Sequence, residues 1–212
     1  MSVPRPDTTT SLRSDSPGRA PRLAVFISGA GRTLLNLLDA IDRGDLHATI
    51  PLVLASRECE GAAKARARGL RTLIEPGEIP APRLRDILAA HDIDAVALAG
   101  YLRRVNLPAE FQGRVVNIHP ALLPRHGGPG MFGLRVHQSV LDARDPESGC
   151  TVHLVDDAFD TGPILLQRRC TVLPTDTAQS LADRVFLEEC RAYPLALALW
   201  LPKLPARSGI QP

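Results

Sequence analysis

Two side chains able to do chemistry stand two residues apart at Asn117 and His119, inside the stretch RVVNIHPALLPRHGGPG at 114–130. The β-branched run before them reads as a strand, Arg114 to Ile118, set off by the turn signal Gln112-Gly113. If that strand persists, residues i and i+2 point to the same face, so an amide and an imidazole lie side by side. Such a pair can hold an oxygen that becomes negative in a transition state, and the imidazole can move a proton near neutral pH. The spacing equally admits a histidine that only caps a strand end and satisfies a buried carbonyl. Three other segments carry reactive or ligand-binding types. Ser28-Gly29-Ala30-Gly31-Arg32-Thr33 is a glycine-rich turn with a cation, Gly100-Tyr101-Leu102-Arg103-Arg104 sets an aromatic beside two bases, and Asp156 to Pro163 (DDAFDTGP) is an acidic turn. The first suits a phosphate on helix N-terminal amides, with Arg32 adding a charge-assisted bond, or it is simply a tight turn that needs small residues. The second suits a flat ring with a carboxylate tail, or solvent. The acidic turn suits a site or a solvated hairpin tip.

The elements needed to position these groups are legible in the hydrophobic pattern. Strands are expected at Arg22 to Ile27, Thr49 to Ala55, Arg71 to Ile74 and Asp94 to Ala99. Helices are expected after the glycine turn through Asp42, over Gly61 to Arg68 with Gly69 closing it, and from Pro80 and Pro82 to about His91. Alternating strands and helices with nearly continuous apolar strands imply a mostly parallel sheet covered by helices on both faces, a single Rossmann-like α/β domain. Ligands then belong at the carboxyl ends of the strands, where the glycine turn, the Gly100 segment and Asn117 all fall. Beyond the central loop, a helix is expected over His137 to Arg144, a half-exposed strand over Cys150 to Val155, and a strand over Ile164 to Val172 that completes a hairpin. Asp176 and Gln179 read as a capping box for a long last helix, with a kink or break at Pro194.

At 212 residues the chain suits one domain, and 44% hydrophobic with 23% charged residues is the balance of a globular protein. A net charge of +2 gives no reason to expect nucleic acid as a partner, and no apolar run reaches the roughly 20 residues that span a bilayer. Cys59, Cys150, Cys170 and Cys190 are widely separated, so neither a metal centre nor a disulfide framework is expected, and a reduced, cytoplasmic protein is. Residues 1–21 are rich in Pro, Ser, Thr and Arg and are read as a disordered leader, residues 22–202 as the folded domain, and 203–212 as a flexible tail.

Five segments, AVFISGAGRTLLNLL, LAGYLRRV, VVNIHPALLPR, GCTVHLVDDAFDTGPILLQ and RVFLEECRAYP, occur in the order in which similar segments occur in the formyltransferases that use 10-formyltetrahydrofolate. The chain resembles that family over residues 22 to 200, most closely its purine-synthesis branch. The resemblance implies transfer of a formyl group from 10-formyltetrahydrofolate, as co-substrate, to the amine of glycinamide ribonucleotide through a tetrahedral oxyanion. It implies Asn117 as donor to that oxyanion, His119 as protonated stabiliser and proton donor, and Asp160 as the charge that raises the His119 pKa. It further implies Gly31, Arg32, Thr33 and Glu189 around the acceptor. Leu102, Arg103, Arg104, Val105 and the turn Asp156, Asp157, Ala158, Phe159, Asp160 would line the folate pocket with Asn117, and Arg83 would reach the folate's glutamate tail. Partners are then small molecules, with a homodimer as one assembly to test for and no metal. Three departures stand out: GAGRT where GNGSN is common, a longer glycine-rich loop HGGPGMFGLRVH in which Met131 and Phe132 could form a flap, and Cys190 where histidine is frequent. They bear on the acceptor, so another amine or water as acceptor, or a non-catalytic folate or nucleotide binder, remain the competing readings.

Overall fold

The computed structural model describes residues 19–205. The expected leader through residue 18 and the tail from 206 lie outside the described residues. Arg19, by contrast, already donates to Asp94 at 3.0 Å, and Leu204 packs against the core.

The first strand, β1 (Arg22–Ile27), lies inside the sheet with a strand on either side and is buried from Leu23 onward, because it is covered on both faces. Its alternate residues feed two cores. Leu23, Val25 and Ile27 pack with Leu34 and Leu37 of α1 (Arg32–Asp42) and with Leu181 and Val185 of α5 (Ala178–Trp200). Ala24 and Phe26 pack on the other face with Leu84 and Leu88 of α3 (Ala81–Ala90) and with Phe111. A period of two thus divides one apolar run between two layers.

The remaining elements are β2 (Thr49–Ala55), α2 (Glu60–Ala67), β3 (Thr72–Ile74), β4 (Ala95–Leu98), β5 (Val115–His119), α4 (Leu134–Asp142), β6 (Glu147–Leu154) and β7 (Ile164–Thr171). The seven strands lie in the order β3-β2-β1-β4-β5-β6-β7. The first five run parallel, whereas β6 pairs antiparallel with both β5 and β7. The chain leaves β1 toward β2 and returns on its other side as β4, which makes the β1/β4 carboxyl ends the switch point where such sheets bind ligands.

Four local expectations are corrected. The β6 strand is not half-exposed. Its polar positions Thr151 and His153 are buried, because Thr151 Oγ1 bonds the Ala121 carbonyl and the Leu123 amide while His153 bonds the Leu154 carbonyl. On the polar side of the alternation, Thr151 faces the 120s loop and His153 faces Asn117 and Asp160 rather than solvent. Helix α4 starts at Leu134, three residues early, behind Gly133 at φ 59°. The capping box of α5 is Thr177 with Ser180, while Asp176 is taken up by two bonds from Arg184. Finally, α5 runs through Pro194 without a break. Proline leaves the Cys190 carbonyl without its helical donor, and Asn36 Nδ2 of α1 fills that place at 3.1 Å.

Candidate active site

A cleft of about 570 Å³ opens at the carboxyl ends of β1, β4 and β5, and it gathers residues from every suggestive segment of the sequence. The segments are tied together beneath it. The buried Ser28 hydroxyl, at the end of β1, pairs with Ser56 Oγ at 2.7 Å and accepts the Leu102 amide at 2.9 Å. Tyr193 of α5 shares its hydroxyl proton between the Leu98 and Val116 carbonyls, at 3.0 and 3.2 Å. The long helix is thereby fixed to the ends of β4 and β5, one residue before Asn117.

The β5 strand extends to His119, one residue past expectation, so Asn117 and His119 share a face and both line the cleft. His119 is 4% exposed. Its Nε2 donates to the His126 carbonyl at 2.8 Å, and its Nδ1 lies 3.4 Å from Asp160 Oδ2. Burial pushes the imidazole below its ordinary pKa. The nearby Asp160 charge and the His126 carbonyl push it up, but less strongly. Asp160 thus opposes a larger desolvation effect instead of setting the net direction. Burial alone would raise the Asp160 carboxyl. A bond from His153, the charge of His119 and the Gly128 amide, which donates at 2.9 Å, together hold it below its ordinary value.

His153 is a participant the sequence reading missed. It stands opposite Asn117 in the β5/β6 register, and its Nε2 is 3.2 Å from Asn117 Nδ2 and 3.5 Å from Asp160 Oδ1. Its Nδ1 bonds the Leu154 carbonyl, which fixes the ring with Nε2 between the Asn117 amide and the Asp160 carboxylate. That contact orients the amide with its N–H₂ group in the cleft. Antiparallel pairing of the NIH and TVHLV segments was the signal that could have found it.

At the other end of the cleft, α1 begins after Gly31 at φ 72° with no side-chain cap, leaving first-turn amides free. A Cβ on Gly31 would stand 2.7 Å from Gly61 Cα, so this turn needs glycine to pass α2. Thr33 lines the cleft. Gly31 and Arg32 lie beside it, with the Arg32 guanidinium 3.6 Å above the Phe186 ring and 3.9 Å from Asp183. Glu189 also lines the cleft, and burial raises its carboxyl to about 7 against the lowering charge of Arg32.

Leu102, Arg103, Arg104 and Val105 face the turn Asp156 to Asp160 across the remaining length, with Met131 and Phe132 of the long loop on the rim. Arg104 reaches the Asp157 carbonyl at 3.4 Å, and Asp156 holds the turn by accepting from Thr161. Asn106, Leu107 and Val155 were not anticipated in this lining, whereas Tyr101 stands in it as the sequence allowed. Arg83 is absent from it and pairs instead with Glu75 at 2.8 Å. Among the described residues no group of His, Cys, Asp or Glu is arranged to hold a metal, and no helix is long and apolar enough to cross a membrane.

The sequence profile of formyl transferases matches residues 21–197. A chloroplastic phosphoribosylglycinamide formyltransferase of Vigna unguiculata is 38% identical over 201 residues, which cover 91% of this chain and 64% of that protein. The phosphoribosylglycinamide formyltransferase of Haemophilus influenzae is 31% identical over 83% of this chain and 85% of its own length. Among solved structures, glycinamide ribonucleotide transformylase 1 from Symbiobacterium toebii superposes with a TM-score of 0.80 at 34% identity, covering 90% of this chain and 93% of that one. The Brucella melitensis phosphoribosylglycinamide formyltransferase gives 0.75 at 39% identity, covering 91% and 98%. The chain spans just under two thirds of the plant protein it matches.

Proposed function

The chain belongs to the formyl transferase family, and from that premise we propose that it moves the formyl group of 10-formyltetrahydrofolate to the amine of glycinamide ribonucleotide, a cytoplasmic step of purine synthesis. The observation that carries this reading is the convergence of Asn117, His119 and Asp160 in one cleft that also reaches Thr33 and Glu189. Relatives named for this reaction, 31–38% identical over most of the chain, support it.

The acceptor amine attacks the formyl carbon, a C–N bond forms, and the carbonyl oxygen becomes an oxyanion. Asn117 Nδ2 donates to that oxygen, and protonated His119 adds a second, charged donor. Its Nδ1–H suits this role, since the 3.4 Å contact with Asp160 is longer than an ordinary hydrogen bond and leaves that N–H available to the oxyanion. On collapse, the bond from carbon to the folate nitrogen breaks, that nitrogen takes a proton from His119, and His119 recovers one from the attacking nitrogen. Asp160 stabilises the imidazolium throughout.

The folate occupies the side between Leu102 to Val105 and the turn Asp156, Asp157, Ala158, Phe159, Asp160, with Arg103 and Arg104 available to its carboxylates. Arg83, paired with Glu75, has no part in this pocket. The acceptor's phosphate sits on the first-turn amides beyond Gly31, with Thr33 and Arg32, and Glu189 meets its amine end. The test is consumption of 10-formyltetrahydrofolate with glycinamide ribonucleotide, with other amines, and with none. Loss that depends on glycinamide ribonucleotide is expected. Loss without any acceptor would instead make the protein a hydrolase, and loss only with another amine would reassign the acceptor.

A further inference from the structure

Resting on the formyl-transfer reading, we propose that His126 is a positioning residue for His119, its clamped side chain holding its own backbone carbonyl against the His119 ring. The carbonyl accepts from His119 Nε2 at 2.8 Å, at the end of the turn over residues 123–126. His126 adopts φ 57°, a left-handed conformation uncommon outside glycine, and is followed by Gly127 and Gly128. The turn hydrogen bonds on either side, Arg125 N–H to the Leu122 carbonyl and Met131 N–H to the Gly128 carbonyl, leave the His126 carbonyl's direction to be set by side-chain contacts.

The His126 ring supplies that hold. It is 12% exposed, its Nδ1 lies 2.6 Å from Ser139 Oγ on α4, and its Nε2 lies 2.8 Å from Asp145 Oδ2. Asp145 is fixed in turn by Arg125 at 2.6 Å. Two residues beyond His126, the Gly128 amide donates to Asp160 Oδ2. One short segment therefore carries the acceptor for one His119 nitrogen and orients the carboxylate that faces the other.

That pairing has a chemical consequence. A neutral imidazole carries one N–H, so with oxygens at both ring nitrogens one lone pair must face an oxygen. Only the imidazolium satisfies both. The clamp thus favours the protonated ring that the reaction needs, at a place where burial disfavours charge.

The test combines steady-state kinetics with ¹⁵N-detected NMR of the histidine rings in the full chain, comparing wild type with His126→Ala, His126→Gln, Asp145→Ala and Ser139→Ala. In His126→Ala we expect kcat to fall on the order of 10- to 100-fold, with KM for both substrates within about threefold, as for a misplaced catalytic group. The His119 ring should change from a spectrum protonated at Nε2 to a tautomer mixture. His126→Gln, whose amide can still reach Asp145, should recover part of the loss. Should His126→Ala fail to fold, Asp145→Ala and Ser139→Ala, which cut the clamp outside the cleft, carry the same expectation at smaller size. An unchanged His119 spectrum, or an effect confined to KM, overturns the proposal. If the wild type transfers formyl to no acceptor, the functional reading fails, and the ring spectra still decide whether the clamp sets the tautomer.

Discussion

The two ends of the cleft are built differently. Around Asn117, His119 and Asp160, the key polar atoms meet protein partners contributed by β5, β6, the 126–128 segment and the acidic turn. Around Gly31 to Thr33, the α1 amides are uncapped and the Arg32 side chain, about half exposed, rests on Phe186. One end is preorganised before any ligand arrives, as suits groups that must meet a developing charge. The other offers unpaired donors and a cation that can reach outward, as suits recognition of an anion. On the proposed function, chemistry belongs to one end and acceptor choice to the other, and substitutions at the two ends should fail in different ways.

The largest effects belong to the preorganised end. His119→Ala and Asn117→Ala each remove one donor to the oxyanion, and kcat should fall about 10²- to 10³-fold while folate binding, read by fluorescence titration, persists. Asp160→Asn should cost less, about 10- to 100-fold by analogy with other misplaced or poorly stabilised groups, and it should also move the pH profile. In the proposed mechanism His119 acts protonated, so transfer is expected to fall as pH rises through its pKa. Removing the carboxylate that raises that pKa shifts the fall to lower pH. A pH–rate profile left in place would remove Asp160 from the account.

At the open end, Arg32→Ala should raise KM for glycinamide ribonucleotide about 10-fold, the worth of one charge-assisted bond, and leave kcat nearly unchanged. A matching loss of kcat would dissolve the distinction between the two ends. The smallest effect is on stability. The Glu189 carboxyl rises from 4.5 to about 7 on folding, so its contribution is fully present below pH 4.5 and is lost as pH climbs to 7 and beyond. Glu189→Gln should therefore gain thermal stability relative to wild type as pH goes from 5 to 8, by an amount that thermal melts at several pH values can read.

Much of this arrangement was legible in the sequence for a physical reason. Continuous apolar runs such as RLAVFI can only be strands covered on both faces, and that fixes a mostly parallel sheet and the edge where ligands bind. Residues close in sequence were also placed well, so Asn117 and His119 share a face as their spacing put them, while the Leu102 to Val105 lining stands where the family resemblance implied it. What escaped was pairing across long sequence separations. His153 meets Asn117 through strand register, and Thr151 on the same face of β6 is buried under the 120s loop. Pro194 escaped likewise, since the donor that lets α5 pass through it is Asn36, 154 residues from the carbonyl it serves. Arg83 lies outside the cleft lining and pairs with Glu75, a contact that only the folded chain reveals.

The most direct test of the account is single-turnover formyl transfer from 10-formyltetrahydrofolate to glycinamide ribonucleotide, with both substrates saturating, by wild type and His119→Ala. The account predicts a formylated acceptor in stoichiometric amount from the wild type and a rate at least about 10²-fold lower in the variant, with both ligands still bound. Equal rates in the two proteins would contradict it.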